Sequence, residues 1–408
     1  MFPYILVAVF LLLLAVRFDI NGVKKNRSFW LSIATWVLIL FSGLRNELGI
    51  DTYSYGLAYN TAPSIFDFVS GNVEWFDFSS QPLWYLFTSL CKTITSSFLL
   101  MQMIIAFVFN FLMVRFFKSV SHYVFSCILL FFCTKWFIYN FEVLRESICV
   151  ALYLNAIVEY GKDKNIKRFL LFAFPTIFIH WFALIMLFVF LIVVTIDLRF
   201  SLFISVLLSL MILIVDVSTF EMLMMLTVEQ LDSSSEKLNG YLTKIYEGSY
   251  NIFFYIQLLV VEIIPPLILL WRYFRDSNIS ELERKLLCFL PLYLIIGVST
   301  SKLVIAYRLF NYIYPIYLVF VLRALYESFI LKNRLIIAKP KRSSRLLFTI
   351  LLLCFSFSVF SDIRSFIKPV ALRQEYGKYD IRYIPYTTVF QESNEERTMY
   401  YEYWRNWH

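Results

Sequence analysis

Three arginines carry the most chemical promise in this chain, and each sits in a run of polar and aromatic residues. Arg45 lies in the run from Gly43 to Tyr59, which also holds Asp51, Tyr53 and Tyr55. Arg145 lies between Glu142 and Glu146 in the run Tyr139-Asn140-Phe141-Glu142-Val143-Leu144-Arg145-Glu146-Ser147. Arg308 follows Tyr307 and precedes Asn311. A guanidinium fork binds phosphate oxygens in pairs and keeps its proton, so a cluster of arginines suits a diphosphate. A fourth run, opened by Gln81 and Trp84, and a fifth, His180-Trp181, are short. Histidine has an ordinary pKa of about 6.5, so a neutral imidazole near arginines can take a proton from a hydroxyl. His180, Asp51, Glu142 and Glu146 are the candidate bases. Each has a plainer reading too: His180 as the cap of a short helix, Asp51 as the residue that holds Arg45. On spacing alone, an anionic lipid-linked ligand and simple interfacial anchoring are level readings for the arginines.

No metal site is expected. There is no DxD-like acidic pair beside these runs, and the six cysteines are scattered through apolar stretches without a zinc spacing. The three histidines, His122, His180 and His408, are far apart in the chain.

The elements that must position these residues are membrane helices. Of 408 residues, 60% are hydrophobic and 16% charged, which leaves too little polar surface for a water-soluble core. The apolar runs are unbroken rather than alternating, so a transmembrane β-barrel is excluded and helices remain. Apolar runs fall at about 2–16, 29–44, 98–117, 123–140, 144–160, 168–180, 182–196, 199–217, 252–272, 285–300, 305–326 and 346–362. A thirteenth, 82–97, is shorter, carries Lys92, and is expected to re-enter without crossing. Residues 168–196 are too long for one crossing and short for two, so two short helices meeting near His180 are expected.

Charge sets the orientation. With twelve crossings and both termini outside, the connections up to residue 362 place 21 Lys and Arg inside and seven outside. The positive-inside rule favours that arrangement, and it puts Arg45, Arg145, His180 and Arg308 on the outer face. The formal net charge of +8 is then explained by inner loops, and no nucleic-acid partner is expected. The reading is an all-α polytopic membrane bundle over 1–362, with an outer loop and re-entrant segment at 45–97 and an amphipathic lid at 218–251. The tail, 363–408, is rich in aromatics and expected outside. It reads either as an interfacial belt or as a platform for stacking sugars. The amino terminus has no positive region ahead of its apolar run and does not read as a cleavable signal.

Six of these segments resemble the EpsG/Wzy family of polysaccharide polymerases. They are GLRNELGIDTYSYGLAY (43–59), QPLWYLF (81–87), YNFEVLRESICVAL (139–152), IFIHWFALIMLF (177–188), YRLFNYIYPIYL (307–318) and YIPYTTVF (383–390). The Arg-x3-Gly-x-Asp-Thr-x-x-Tyr element is the most specific. Gln81 stands where a glutamate is common, and Glu146 where glutamine is common.

The resemblance implies an enzyme of the bacterial inner membrane with its site on the outer face. It would move a growing glycan from undecaprenyl diphosphate onto the non-reducing end of a lipid-linked repeat unit, without metal or cofactor. Arg45, Arg145 and Arg308 would bind the diphosphate, and His180 or Asp51 would serve as base. Tyr53, Tyr59, Gln81, Trp84, Asn140, Glu142, Glu146 and Tyr307 would meet the glycan. Its partners would be undecaprenyl-diphosphate-linked glycans as donor and acceptor, membrane lipids, and a chain-length regulator. A glycan ligase using the same donor is the nearest alternative. A lipid-linked oligosaccharide flippase is the transporter alternative, although it would need charge through the membrane depth. A membrane acyltransferase would not need three outer arginines, and a non-enzymatic assembly subunit would need none of this.

Overall fold

The computed structural model describes residues 1–70, 81–180, 182–196, 198–214, 252–274, 279–300, 306–330, 342–367 and 380–407. The expected lid at 218–251 and Trp181 lie outside the described residues. Among the described residues the regular structure is helical, with a single isolated β-bridge between Arg45 and Thr388. Five helices are long and apolar enough to cross a membrane: Phe2–Ile20, Leu99–Val120, Tyr255–Phe274, Arg308–Ser328 and Leu346–Ile367. Other apolar helices are shorter, such as Arg27–Gly43 and Val124–Thr134. The five are the helices among the described residues that meet both length and composition, and several apolar runs are broken where a polar residue or π-turn interrupts them. The run at 123–140 is one case: its α-helix stops at Thr134 and a π-segment, Ile138–Glu142, follows.

The chain forms two compact units, Met1–Ile185 with Val359–His408, and Met186–Ser358. In the first unit the helices are α1 (Phe2–Leu14), α2 (Arg27–Gly43), α3 (Ile50–Thr61), α4 (Ile65–Val69), α5 (Pro82–Ile94), α6 (Leu99–Val120), α7 (Val124–Thr134), α8 (Leu144–Asp163) and α9 (Ile166–Ile179). Prolines in the first turns of α1 and α5 start those helices where a missing N–H costs nothing. The α8–α9 link is two residues long. Lys164 takes the left-handed conformation (φ 55°) to end α8, and Asn165 accepts from Lys167 N and Arg168 N to begin α9. So short a link makes α8 and α9 antiparallel neighbours.

α5 has 13 residues, a length of about 20 Å against a hydrocarbon core of about 30 Å. Its Leu83, Leu86, Leu90 and Ile94 are exposed on one side, while Trp84, Thr88, Ser89 and Cys91 are buried on the other. An apolar face on a helix too short to cross is what a re-entrant or interfacial segment requires. The expected break at His180 is present: α9 ends at Ile179 and the next helix runs Ala183–Thr195.

The tail belongs to the first unit. Its described part, 380–407, packs back on the first unit, with Tyr383 and Tyr400 buried and Tyr401 fully so. Asn46 N donates to Thr387 O at 2.9 Å and Val389 N to Leu44 O at 2.9 Å. Tyr4, in α1, donates to Tyr383 O, and Tyr386 to Phe41 O. These backbone acceptors lie between distant parts of the chain, which hydropathy cannot register.

The second unit holds helices Leu198–Ile214, Ile264–Phe274, Glu281–Leu287, Leu290–Ser299 and Ala306–Leu325, among others. Tyr293 stacks on Tyr317 at 4.3 Å in its core, and Arg323 pairs with Glu283 and Glu327.

Candidate active site

Arg45 leaves the end of α2 and turns inward. It is 2% exposed, and its guanidinium donates to Ser42 O and, at 2.9 Å, to Thr52 Oγ1. Its cationic carbon lies 5.2 Å from the centre of the Phe141 ring. No carboxylate pairs with it among the described residues, and its Nε has no hydrogen-bond partner there. Burial pulls its pKa down to about 9, with Tyr386 and Glu142 pulling the other way, so it keeps its charge at neutral pH.

The loop that carries Arg45 is built tightly. Gly49 has φ +93°, a left-handed value, and a Cβ there would meet Phe141 O at 2.0 Å. Only glycine fits that backbone and that approach. Gly49 N donates to the Tyr401 hydroxyl at 3.0 Å and to Arg382 O at 3.1 Å. Arg397, on the tail helix Glu395–Trp407, has no exposed surface. It donates to Ile381 O, Pro385 O and Thr387 Oγ1, and at 3.5 Å to Asn46 O. The tail is thus a brace beneath the Arg45 loop.

Arg145 sits in the first turn of α8, half-buried. Its Nε donates to the Tyr55 hydroxyl at 3.0 Å and its NH1 to Gln81 Oε1 at 2.6 Å. The guanidinium also lies 5.3 Å from the Tyr55 ring centre and 5.9 Å from that of Trp84. These partners are neutral, and no described carboxylate is in ion-pair contact with Arg145. Aromatic faces stabilise a cation without neutralising it, so the charge stays available to an anionic ligand. Asp51, four residues before Tyr55 on α3, is near enough to act on the Arg145 charge through space.

Glu142 joins the two arginine regions. Its Oε2 accepts from Asp51 N at 3.1 Å, satisfying an early N–H of α3. Its Oε1 accepts from the Tyr383 hydroxyl and lies 3.5 Å from Arg382, which also pairs with Asp380 at 3.0 Å. Burial, then Glu142, raises the Tyr383 pKa well above the ordinary tyrosine value, so that hydroxyl stays a donor. Below this layer Asn110 donates to Ser42 Oγ and Asn140 Oδ1 and accepts from Trp136 Nε1 at 2.7 Å.

His180 is 5% exposed. Its level follows from the α8–α9 register. Cys149 on α8 donates to Thr176 O on α9 at 3.5 Å. Arg145 is one turn before Cys149, and His180 one turn after Thr176, so antiparallel helices bring the two to the same end. Ile179 packs against the cluster of Trp84, Leu144 and Ile148, which surrounds the Arg145 end.

The structure therefore brings Arg45, Asp51, Gln81, Trp84, Glu142 and Arg145 around α3 and the head of α8, with His180 at their level. Asn140 and Glu146 are 3% and 2% exposed and lie in the supporting layer, where the Asn140 amide is bonded to Trp136 O and Asn110. Tyr59 is buried with its hydroxyl on Thr95 O, so it ties α3 to the end of α5 rather than facing a ligand. Tyr53 is half-buried, with its ring 5.1 Å from that of Tyr401. Arg308 opens the helix Ala306–Leu325 in the second unit, half-buried; the Tyr307 side chain lies outside the described ones. Tyr55, Tyr383, Arg382 and Arg397 were not singled out from sequence. Tyr55 had a signal, since it lies one turn from Asp51 on the same face of α3.

Apolar helices carrying an arginine–aromatic centre near their ends define an integral membrane protein with a built polar site. The chain belongs to the EpsG family, a Wzy-like family of polysaccharide polymerases: residues 28–387 match it. The match takes in every motif on which the resemblance rests except the last three residues of YIPYTTVF. No match was found among curated proteins or among solved structures.

Proposed function

We propose that this chain polymerises a lipid-linked glycan on the outer face of the bacterial inner membrane, with undecaprenyl diphosphate as the donor's leaving group. The observation that carries the reading is Arg145: a half-buried cation beside the rings of Tyr55 and Trp84, with neutral hydrogen-bond partners. A preorganised cation in a site with little water stabilises charge that develops on a leaving group.

In the proposed step a hydroxyl of the acceptor's non-reducing sugar attacks the anomeric carbon of the donor glycan. The anomeric carbon–oxygen bond to the diphosphate breaks, and its electron pair leaves with undecaprenyl diphosphate, whose charge meets Arg145. The hydroxyl proton passes to His180, with Asp51 the rival base. Arg45 has both terminal nitrogens occupied and offers one N–H rather than a fork, so its part is a single contact beside the reacting groups. The arginines take the place of a divalent ion, and turnover is expected to survive chelation.

The experiment is direct. Purified protein is incubated with lipid-linked repeat units and the products are run on a gel. A ladder with repeat-unit spacing supports polymerisation, and a ladder that needs added magnesium would remove the arginine-only leaving-group model. Transfer of one chain to a different acceptor, without a ladder, would point to a ligase.

A further inference from the structure

A second recess lies on another face of α3. Tyr55 and Asp51 point toward Arg145, whereas Tyr53, Gly56 and Asn60 line a cleft of about 240 Å³ with Arg45, Phe98 and Gln102. Residues 53, 56 and 60 follow helical spacing along a face distinct from that of 51 and 55. The cleft is smaller than the roughly 300–1,000 Å³ of pockets for drug-sized ligands, so it has room for one sugar ring rather than a repeat unit.

Two observations point to an occupant. Arg45 is buried at the cleft with Nε lacking an acceptor among the described residues, and a buried unmet donor calls for an oxygen. Gly56 is mid-helix, where glycine is disfavoured, yet no backbone or packing reason requires it. A Cβ there would meet only Phe98, at 3.8 Å, an ordinary contact. What the missing side chain does is leave the cleft wall bare. Amide and hydroxyl groups beside aromatic faces, with one cation (Arg45) and one carboxylate (Glu47) on the wall, are suited to a hydroxyl-rich ring.

We propose that this cleft is a monosaccharide subsite that seats one sugar of the incoming acceptor beside the Arg45 side chain. The assignment to the acceptor rests on the polymerase reading above; the binding of a sugar here does not.

The test uses the full-length protein in detergent. The probe is the repeat-unit oligosaccharide released by mild acid from the producing cells' lipid-linked intermediates, free of lipid and phosphate, followed by saturation-transfer NMR. Gly56→Met places a side chain in the cleft and favours helix, and Asn60→Ala removes a polar wall; each should weaken saccharide binding by about tenfold or more, the scale of 1.4 kcal/mol. Lys162→Ala, exposed at the far end of α8, should leave it unchanged. Thermal unfolding of each variant near that of the parent shows that the fold is kept. Saccharide binding that ignores both Gly56→Met and Asn60→Ala overturns the subsite, and so does displacement of the saccharide by inorganic diphosphate, which would make the cleft a phosphate site. Cleft-dependent saccharide binding in a protein that forms no ladder would uphold the subsite while removing the polymerase reading.

Discussion

Arg145 donates to Gln81 Oε1 at 2.6 Å, a charge-assisted bond to a neutral amide that leaves the guanidinium its full charge. Gln81 precedes α5, so the start of this 13-residue helix also aims the cation. Gln81→Ala keeps the aromatic faces around Arg145 but loses this bond. A hydrogen bond to a charged group contributes about 1.5–3 kcal/mol, so initial rates of polymer formation should fall roughly tenfold to a hundredfold. An unchanged rate would mean that Trp84 and Tyr55 alone position the cation.

His180 and Asp51 can be separated by what each variant still does. His180→Gln should retain lipid-linked donor, because binding uses the arginine, and should lose polymer, because the base acts only in the transition state. Donor retention is read by co-purification and polymer by gel. If His180→Gln polymerises at near-normal rates while Asp51→Asn is inactive, the base is Asp51.

The tail should behave as a brace. Tyr383→Phe removes the hydroxyl that donates to buried Glu142 and should lower stability by about 1–2 kcal/mol, with the larger effect if the carboxylate is left short of donors. Arg397→Ala strips several carbonyls of a buried donor and should cost more. Limited proteolysis should then cut near residues 380–407 in both variants and spare the parent. Equal protection in all three would mean that the tail is held by packing rather than by these bonds.

Much of this was legible in the sequence and some was not. Helical class, the break at His180 and the short helix after Gln81 follow from apolar run length and proline position, which are local. So does the clustering of Arg45 and Asp51, which lie within the eleven residues of one motif. The role of the tail was not legible: Tyr383 reaches Glu142 across 241 positions, and aromatic composition alone suggests a belt. Tyr59 and Asn140 looked like ligand groups because they are polar-tipped and lie in motifs. Their partners, Thr95 O and Asn110, come from other helices and appear only when the helices are packed.

Orientation can be read by chemical labelling. On a background lacking the six cysteines, Ser70→Cys and Asp163→Cys should react with an impermeant maleimide from opposite sides of the membrane. Both positions are exposed, one after α4 and one at the end of α8. Labelling from the same side would contradict the orientation that puts Arg45 and Arg145 on the outer face.

The central claim is that the Arg145 fork carries the leaving diphosphate, and single-turnover polymerisation by Arg145→Lys tests it most directly. Lysine keeps the charge but loses the planar fork and its contacts with the Tyr55 and Trp84 rings. With insertion and abundance matched to the parent, the rate of the first transfer should drop about a hundredfold or more, corresponding to about 2.7 kcal/mol of transition-state stabilisation. A first-transfer rate within a factor of about two of the parent would contradict the claim, since it would leave no more than about 0.4 kcal/mol for the fork.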